Sequence, residues 1–239
     1  GYVTTGYNPD QKYLSDTWEY NPETNSWRQM DDFKGGARYY ALGFGIDNYG
    51  YVGTGYNDNY LKDFYRFDPT AAAGSQWTIV NGFGGQKRQG GTAFVIDGKA
   101  YVCGGQNNNS DVSDFWCFDP SAATPWTQLR DIANTSDDDY DDDYTSIVRS
   151  YGVSFVIDGK AYLTLGSTAG GSYYSNYWIY DPATDLWEGD DLTAFEGSTR
   201  IHAVCFSTGT RGIVATGGSG SSSYFDDVWE LKPYEYEEE

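Results

Sequence analysis

The heptapeptide DFWCFDP at residues 114–120 is an aromatic strand that ends in Asp-Pro, and four variants of it recur along the chain. The variants are DTWEYNP at 16–22, DFYRFDP at 63–69, NYWIYDP at 176–182 and DVWELKP at 227–233. Successive copies begin 47, 51, 62 and 51 residues apart, and five of the seven prolines close one of them. A motif that returns at such spacing predicts a repeat architecture in which each copy is one structural unit.

The residues around each copy recur in a constant order. An arginine lies 17 or 18 residues before the second of two small residues, at Arg38, Arg88, Arg149 and Arg200. A tryptophan follows the proline by five to eight residues, at Trp27, Trp77, Trp126 and Trp187. Each copy reads as four antiparallel strands: A after the arginine, B ending in glycine, C the aromatic anchor and D at the late tryptophan. The Asp-Gly pairs 97–98 and 158–159, between A and B, are typical of two-residue hairpins.

Composition agrees with an all-β chain and excludes some partners. Among 239 residues, 18% are aromatic, with 23 tyrosines and 30 glycines, and strands favour aromatic residues. The net charge of −20 argues against nucleic acid, which needs clustered cations. The longest apolar runs are strand-sized, so we expect no membrane insertion. Nothing in the sequence indicates a cofactor, and the three cysteines lie in apolar runs, where a thiol packs as a small hydrophobic group.

One four-stranded meander cannot bury both faces alone, so neighbouring units must stack, and strand twist makes stacked sheets fan around an axis. The order of arginine, small residues, a Gly-Gly-like pair, an aromatic-Asp-Pro anchor and a late tryptophan resembles the kelch repeat, of bacterial type. The Gly pair is intact only at 104–105 and 217–218. The resemblance implies a β-propeller, most simply of five four-stranded blades. It does not carry over the copper chemistry of the radical oxidase with kelch blades, because the chain has one histidine.

The first and last blades are expected to be incomplete. The sequence opens on strand B of the first copy and stops after strand C of the fifth, which gives eighteen strands where five full blades need twenty. We expect a segment upstream of Gly1 to complete a five-bladed ring, and we favour this over a six-bladed ring, which needs six further strands. Residues 1–233 are then one domain, and the acidic residues 234–239 form a tail.

An acidic insertion, SDDDYDDDY at 136–144, lies between the third and fourth copies of the repeat. It could hold Ca²⁺ through carboxylate oxygens, with the candidate ligands Asp137, Asp139, Asp141 and Asp143. Its spacing lacks the alternating acids and the glycine of a calcium loop, so a solvated acidic loop is the favoured interpretation.

The four arginines are the first binding candidates, because in kelch propellers their loops surround one mouth of the central channel. A ring of arginines in an acidic protein would suit carboxylate ligands. The alternative, which we favour, is that each arginine pairs with an anchor aspartate, for instance Asp16, Asp63, Asp114 or Asp227, and ties the blades together. Two residues beyond the arginines lie Tyr40, Tyr151 and His202.

The loops between strands B and C differ among the copies, as expected of a variable binding face on a fixed scaffold. They are rich in Asn, Ser, Gly and Tyr, residue types that adaptable recognition loops use, although the first three are also ordinary turn residues. The tyrosines expected to contribute most are Tyr60, Tyr173, Tyr174 and Tyr224.

The predicted function is a non-enzymatic module that binds a glycan or a protein at this mouth, outside the cytoplasm, in the periplasm or at the cell surface. The first alternative is an enzyme acting on a small acidic sugar, similar to the sialic-acid mutarotases built from kelch blades, with His202 as acid or base. The second is a structural spacer. A general base needs an orienting partner, and the sequence identifies none for His202.

Overall fold

The computed structural model describes residues 1–189 and 193–233, and almost all of its regular structure is β-strand. The one helical element in these ranges is a 3₁₀ turn at Asp139–Asp141. The all-β prediction is therefore confirmed. Within the same ranges no helix is long and apolar enough to cross a membrane. The predicted acidic tail, 234–239, lies outside the described residues.

The strands form five antiparallel sheets in chain order, and each sheet is one blade of a propeller. Blade 1 contains β1 (Tyr2–Asn8), β2 (Lys12–Asn21) and β3 (Ser26–Gln29). Blade 2 contains β4 (Leu42–Ile46), β5 (Tyr49–Gly53), β6 (Phe64–Phe67) and β7 (Trp77–Val80). Blade 3 contains β8 (Thr92–Ile96), β9 (Lys99–Cys103), the loop hairpin β10 (Gln106–Asn107) and β11 (Ser110–Asp111), then β12 (Trp116–Phe118) and β13 (Trp126–Gln128).

Blade 4 contains β14 (Val153–Ile157), β15 (Lys160–Thr164), β16 (Trp178–Asp181) and β17 (Leu186–Glu188). Blade 5 contains β18 (Val204–Ser207), β19 (Gly212–Ala215), the loop hairpin β20 (Gly218–Ser219) and β21 (Ser223–Tyr224), then β22 (Val228–Leu231). Apart from the two loop hairpins, the blades hold 3, 4, 4, 4 and 3 strands. Five blades with an incomplete first and last are thus confirmed.

The turns between strands A and B follow the predicted chemistry. Asp97 and Gly98 have φ of 49° and 73°, and Asp158 and Gly159 have φ of 48° and 76°. Two successive left-handed residues match the right-handed twist of the strands that they join. These short turns close one end of each blade and leave the longer loops to the other end.

The core lies between blades rather than within them. Blades 3 and 4 share a cluster that includes Phe94, Phe115, Trp178 and Trp187, and similar clusters join blades 2 and 3 and blades 4 and 5. A smaller one packs Met30 and Phe33, in the loop that follows blade 1, against blade 2. Because each face is apolar, each blade is stable only against a neighbour.

The four late tryptophans occupy equivalent places, as predicted. They pair across the sheet with an aromatic residue of strand C, in the register Tyr20–Trp27, Phe67–Trp77, Phe118–Trp126 and Tyr180–Trp187. Their environments differ, however, because Trp126 is 4% exposed and Trp27 is 55% exposed. Blade 1 therefore lacks a neighbour on the side where Trp126 is covered by blade 2.

Candidate functional site

The four arginines are buried inside the loops that join successive blades. Each Nε donates to the carbonyl two residues earlier, at 2.9 to 3.2 Å. Each Nη1 donates to the carbonyl 16 residues later, at 2.9 to 3.1 Å; these acceptors are Thr54, Gly104, Leu165 and Thr216. The guanidinium groups thus satisfy backbone carbonyls that close packing would otherwise leave unpaired.

Three of the arginines also pair with the anchor aspartate of their own blade. Arg38 lies 2.6 Å from Asp63, and the other two pairs are Arg88–Asp114 and Arg200–Asp227. The arginines are at most 1% exposed, so a ligand in the channel cannot reach them. The structure therefore corrects the idea of an arginine ring at the mouth and supports the architectural alternative. Asp16 pairs with no arginine in the described part of the chain, and it accepts from Trp18 Nε1 at 2.7 Å.

Blade 4 departs from this pattern, because its anchor begins with Asn176 instead of aspartate. Arg149 Nη2 donates to Asn176 Oδ1 at 3.1 Å, and its guanidinium lies 4.7 Å from the ring centre of Tyr174. Burial without a carboxylate lowers the pKa of Arg149 to about 10. The group still carries its charge at neutral pH, stabilised by carbonyls and a ring face.

The Arg200–Asp227 pair gives a pH-dependent prediction. Hydrogen bonds from Arg200 are the main cause that lowers the pKa of Asp227 to about 2, from an ordinary value of about 3.9. The pair therefore stabilises the fold fully above about pH 4, and this stabilisation is lost as the pH falls toward 2. We expect the Asp227→Asn variant to unfold at lower urea concentration than wild type at pH 7, and the two midpoints to converge near pH 2. A constant difference across this range would contradict the assignment.

The second residues past the arginines of blades 2, 4 and 5 bring their rings together, which places them at the mouth of the central channel. Tyr40, Gly90, Tyr151 and His202 all adopt left-handed backbone conformations, with φ between 53° and 62°. The Tyr40 and His202 rings stack at 5.0 Å, and Tyr151 lies edge-on to both, at 4.9 and 4.6 Å. A Cβ on Gly90 would lie 2.3 Å from the Tyr151 ring, so only glycine leaves room for this cluster.

The hydroxyl of Tyr151 is held by two amides. Gln89 Nε2 and Gln106 Nε2 each donate to it at 2.8 Å. Burial is the main cause that raises the pKa of Tyr151 to about 12, so the phenol stays protonated and neutral. The two glutamines and Tyr151 form a fixed polar wall on one side of the mouth.

Tyrosines of blades 1 and 2 cover the part of the mouth next to these glutamines, and we call Tyr7, Tyr13, Tyr39, Tyr56 and Tyr60 the tyrosine patch. Tyr39 is its centre: its ring is stacked with Tyr13 at 5.6 Å and contacts Tyr56 edge-on at 5.8 Å. Tyr60 lies edge-on to Tyr56 at 5.0 Å, and Tyr7 is 5.6 Å from Tyr39. The Tyr13 hydroxyl donates to Asp58 at 2.7 Å. The patch is continuous with Tyr40, whose ring is 4.3 Å from that of Tyr39.

A backbone pairing explains why the patch forms. The residue after each arginine pairs with the residue after the strand-B glycine, and the pairs are Tyr39–Tyr56, Gln89–Gln106, Ser150–Ser167 and Ile201–Gly218. The mouth thus changes from tyrosine to glutamine to serine from blade 2 to blade 4. Sequence reasoning identified Tyr40, Tyr60 and Tyr151 but missed Tyr7, Tyr13, Tyr39 and Tyr56. The matched residue types at a spacing of 17 were the available signal.

The other predicted tyrosines lie apart from the patch. Tyr174 packs on Arg149 and is structural. The hydroxyl of Tyr173 accepts from Gly220 N at 2.8 Å and links the loops of blades 4 and 5. Tyr224 is 82% exposed and borders a cleft of about 480 Å³ with His202 and Phe225. Only Tyr60 of these four belongs to the tyrosine patch.

The acidic insertion packs against blade 4. Asp141 is buried and accepts from the backbone N–H groups of Thr135 and Ser136, at 3.0 and 2.9 Å. Tyr144 accepts from Trp187 N at 2.8 Å. In the part of the chain that the structure describes, no three acidic, histidine or cysteine side chains come together as metal ligands. The structure therefore does not assemble a Ca²⁺ site from Asp137, Asp139, Asp141 and Asp143.

His202 has aromatic neighbours on two sides, and no carboxylate among the described residues is bonded to it. Burial against these rings lowers its pKa below the ordinary value, so the imidazole is neutral at pH 7. It presents a hydrogen-bonding group at the mouth, but lacks the orienting acid of a histidine base.

Comparison with known proteins agrees with this geometry. The sequence model of the Kelch motif matches residues 2–34 and 87–129. Kelch-like protein 15 of Danio rerio is 25% identical over 189 residues, 75% of this chain, which spans 30% of that relative's length. The solved structure of YjhT superimposes with a TM-score of 0.78 at 14% identity, covering 98% of this chain and 78% of that one. The chain thus contains Kelch motifs in its sequence and folds as a β-propeller of five blades.

Proposed function

We propose that this propeller is a binding module whose ligand is a neutral glycan, bound on the tyrosine patch at the channel mouth. A kelch propeller is consistent with a binding or scaffold role. The observation that carries the finer proposal is the patch of five contacting tyrosines beside the Gln89–Gln106 pair. The tyrosine rings and the glutamine amides therefore lie next to each other on one surface.

The chemistry of this surface matches that of a sugar. Apolar sugar faces stack on aromatic rings, and tyrosine offers large contact area at low entropic cost. The side-chain amides of Asn57 and Gln106, both partly exposed, border the patch and suit sugar hydroxyls.

The charge of the surface favours a neutral ligand over an acidic one. The four arginines are buried and bonded internally, Asp58 lies within the patch, and the chain carries a net charge of −20. An anionic sugar would meet repulsion here. An extracytoplasmic setting, where cell-surface glycans occur, is part of the same proposal.

The test is a glycan array followed by calorimetry on the best ligand. We expect Tyr56→Ala to weaken binding about tenfold, or ~1.4 kcal/mol, because a central aromatic anchor is lost. The matched control is Tyr49→Ala, which removes a tyrosine packed on Arg66 at the other end of blade 2. Glycan binding unchanged in a Tyr39→Ala/Tyr56→Ala double variant would contradict the proposal. Binding to peptides and to no glycan would make a protein the ligand instead.

An enzyme remains a second candidate, because the single histidine of the chain stands at the mouth. If His202 acts as acid or base on a sugar, His202→Ala should lower turnover at least 100-fold. Equal turnover rates of wild type and variant, on the sugars that the protein binds on the array, would remove this candidate.

A further inference from the structure

The hydroxyl of Tyr151 is held in place by residues of blade 3. Its ring reaches across from blade 4 and lies over Gly90, where only glycine leaves room for it. Tyr151 N donates to the Gly90 carbonyl at 2.7 Å, which fixes the main chain beneath the ring. At the far end of the side chain, the hydroxyl oxygen accepts from Gln89 Nε2 and Gln106 Nε2, at 2.8 Å each. Both ends of this side chain are therefore fixed.

This arrangement leaves the proton of the hydroxyl without an acceptor. A phenol can both accept and donate hydrogen bonds, and here two amide donors occupy the accepting side of the oxygen. The O–H bond must then point away from both amides, and no residue in the described ranges accepts it. Because Tyr151 is only partly buried, a ligand at the mouth can reach this proton.

The proton stays on Tyr151 at physiological pH. Burial is the main cause that raises the pKa of this phenol to about 12, while the hydrogen bond from Gln106 acts in the opposite direction. The neighbouring His202 is neutral at pH 7 as well, because burial lowers its pKa. Tyr151 is therefore an uncharged donor beside an uncharged imidazole, which suits an uncharged oxygen of a ligand.

The tyrosine patch leads away from this hydroxyl. The ring of Tyr151 lies 4.9 Å from that of Tyr40, and Tyr40 lies 4.3 Å from Tyr39. From Tyr39 the ring contacts continue to Tyr56 at 5.8 Å, and from Tyr56 to Tyr60 at 5.0 Å. The inner end of this row of rings thus carries a free O–H donor, and Tyr60 forms the outer end.

The outer end of the row lies beside a gap between two loops. Neighbouring loops between strands B and C are bonded at three places, at 2.7 to 2.8 Å; the pairs are Tyr13–Asp58, Ala169–Asp111 and Gly220–Tyr173. These bonds join blades 1 and 2, 3 and 4, and 4 and 5. Within the part of the chain that the structure describes, no hydrogen bond or ring contact joins loop 57–62 of blade 2 to loop 106–113 of blade 3. A chain-like ligand can leave the mouth through this gap, past Tyr60.

We propose that Tyr151 determines which sugar unit binds at the inner end of the row, by donating its hydroxyl proton to an uncharged oxygen of that unit. This role of Tyr151 rests on the proposed glycan site and gives that site a direction. One unit lies against Tyr151, and the following units run over the tyrosine patch toward Tyr60. A unit that brings no oxygen to this place leaves a desolvated donor unpaired, which costs affinity.

Calorimetry tests this role with cello-, xylo-, manno- and malto-oligosaccharides of two and of six sugar units. Tyr151→Phe keeps the ring and removes only the O–H group. We expect it to weaken binding of the short and the long form of a bound sugar by the same factor, about tenfold. Tyr60→Ala should weaken the long form alone. The matched control is Tyr224→Phe, which removes the hydroxyl of an 82% exposed tyrosine and should change neither affinity.

Two results of this titration would overturn the proposal. The first is equal affinity of wild type and Tyr151→Phe for a sugar that the wild type binds, which would leave the glycan site itself standing. The second is a loss in Tyr151→Phe that is confined to the long form, which would place Tyr151 away from the inner end. Thermal unfolding of each variant verifies that it is folded at the temperature of the titration.

A second measurement needs no sugar. Tyr151 is replaced by meta-fluorotyrosine through codon suppression, and fluorine NMR follows a titration with dimethyl sulfoxide, which accepts hydrogen bonds and donates none. We expect a saturable shift at position 151 and a linear one at position 224, labelled in the same way. A linear response at 151 would show that its hydroxyl has no free donor and would overturn the proposal. Saturation at 151 without binding of any sugar in the panel would instead contradict the glycan function and leave the donor established.

Discussion

Replacing Arg88 by methionine is expected to lower the free energy of unfolding by about 3–5 kcal/mol, because it leaves a buried carboxylate without its partner. Arg88 is fully buried, pairs with Asp114 and donates to the carbonyls of Gln86 and Gly104, at 3.2 and 3.1 Å. Methionine fills similar space but supplies none of these hydrogen bonds. Urea denaturation followed by circular dichroism measures the loss.

The matched control for this prediction is Arg28→Met. Arg28 pairs with Glu19 at 2.6 Å, but its side chain is 66% exposed, and exposed pairs contribute about 0–1 kcal/mol. A loss at Arg88 no larger than that at Arg28 would show that the buried arginines do not hold the blades. The double variant Arg88→Met/Asp114→Leu is expected to recover part of the loss, since it removes the unpaired charge.

The second large effect is expected from the late tryptophans. Trp126→Ala should cost about 3–5 kcal/mol, because its indole lies 4.7 to 4.8 Å from the rings of Phe64, Phe83 and Phe118. Trp27→Ala, at the same register position of blade 1, should cost less than about 1 kcal/mol. Both substitutions replace tryptophan at the same position of the repeat. The difference between their losses of stability would therefore measure how much a neighbouring blade stabilises this position. Similar losses at both positions would contradict this account.

The blades could be predicted because their signals are local. The Asp-Gly pairs specify hairpins, the aromatic strands end at proline, and the tryptophan follows at nearly constant distance, so each unit carries its own pattern. The pairing of the arginines with anchor aspartates was the favoured of two alternatives, because a residue repeated in every blade is more often architectural than functional. The positive charge of the arginines could not decide between a binding and a structural role, because a guanidinium pairs equally well with the carboxylate of a ligand and with that of an aspartate.

The proposed binding surface could be predicted only in part, because it depends on contacts between chain segments far apart in sequence. Tyr39 and Tyr56 meet through a backbone bridge between two loops, and Tyr13 reaches them from another blade. Composition pointed to tyrosine in these loops without showing which rings converge. Tyr174 shows the opposite outcome, since its place in a variable loop suggested a ligand contact and its ring packs on Arg149.

The paired residues around the mouth have a consequence for how such a protein acquires new partners. Each bridge between the loops is made by main-chain atoms, at about 3 Å between Tyr39 and Tyr56 and likewise between Gln89 and Gln106. Both side chains of a pair can therefore be exchanged together without disturbing the scaffold. Specificity in this architecture is modular. Evolution or a protein engineer can replace the residue pair of one blade while the pairs of the other blades stay unchanged.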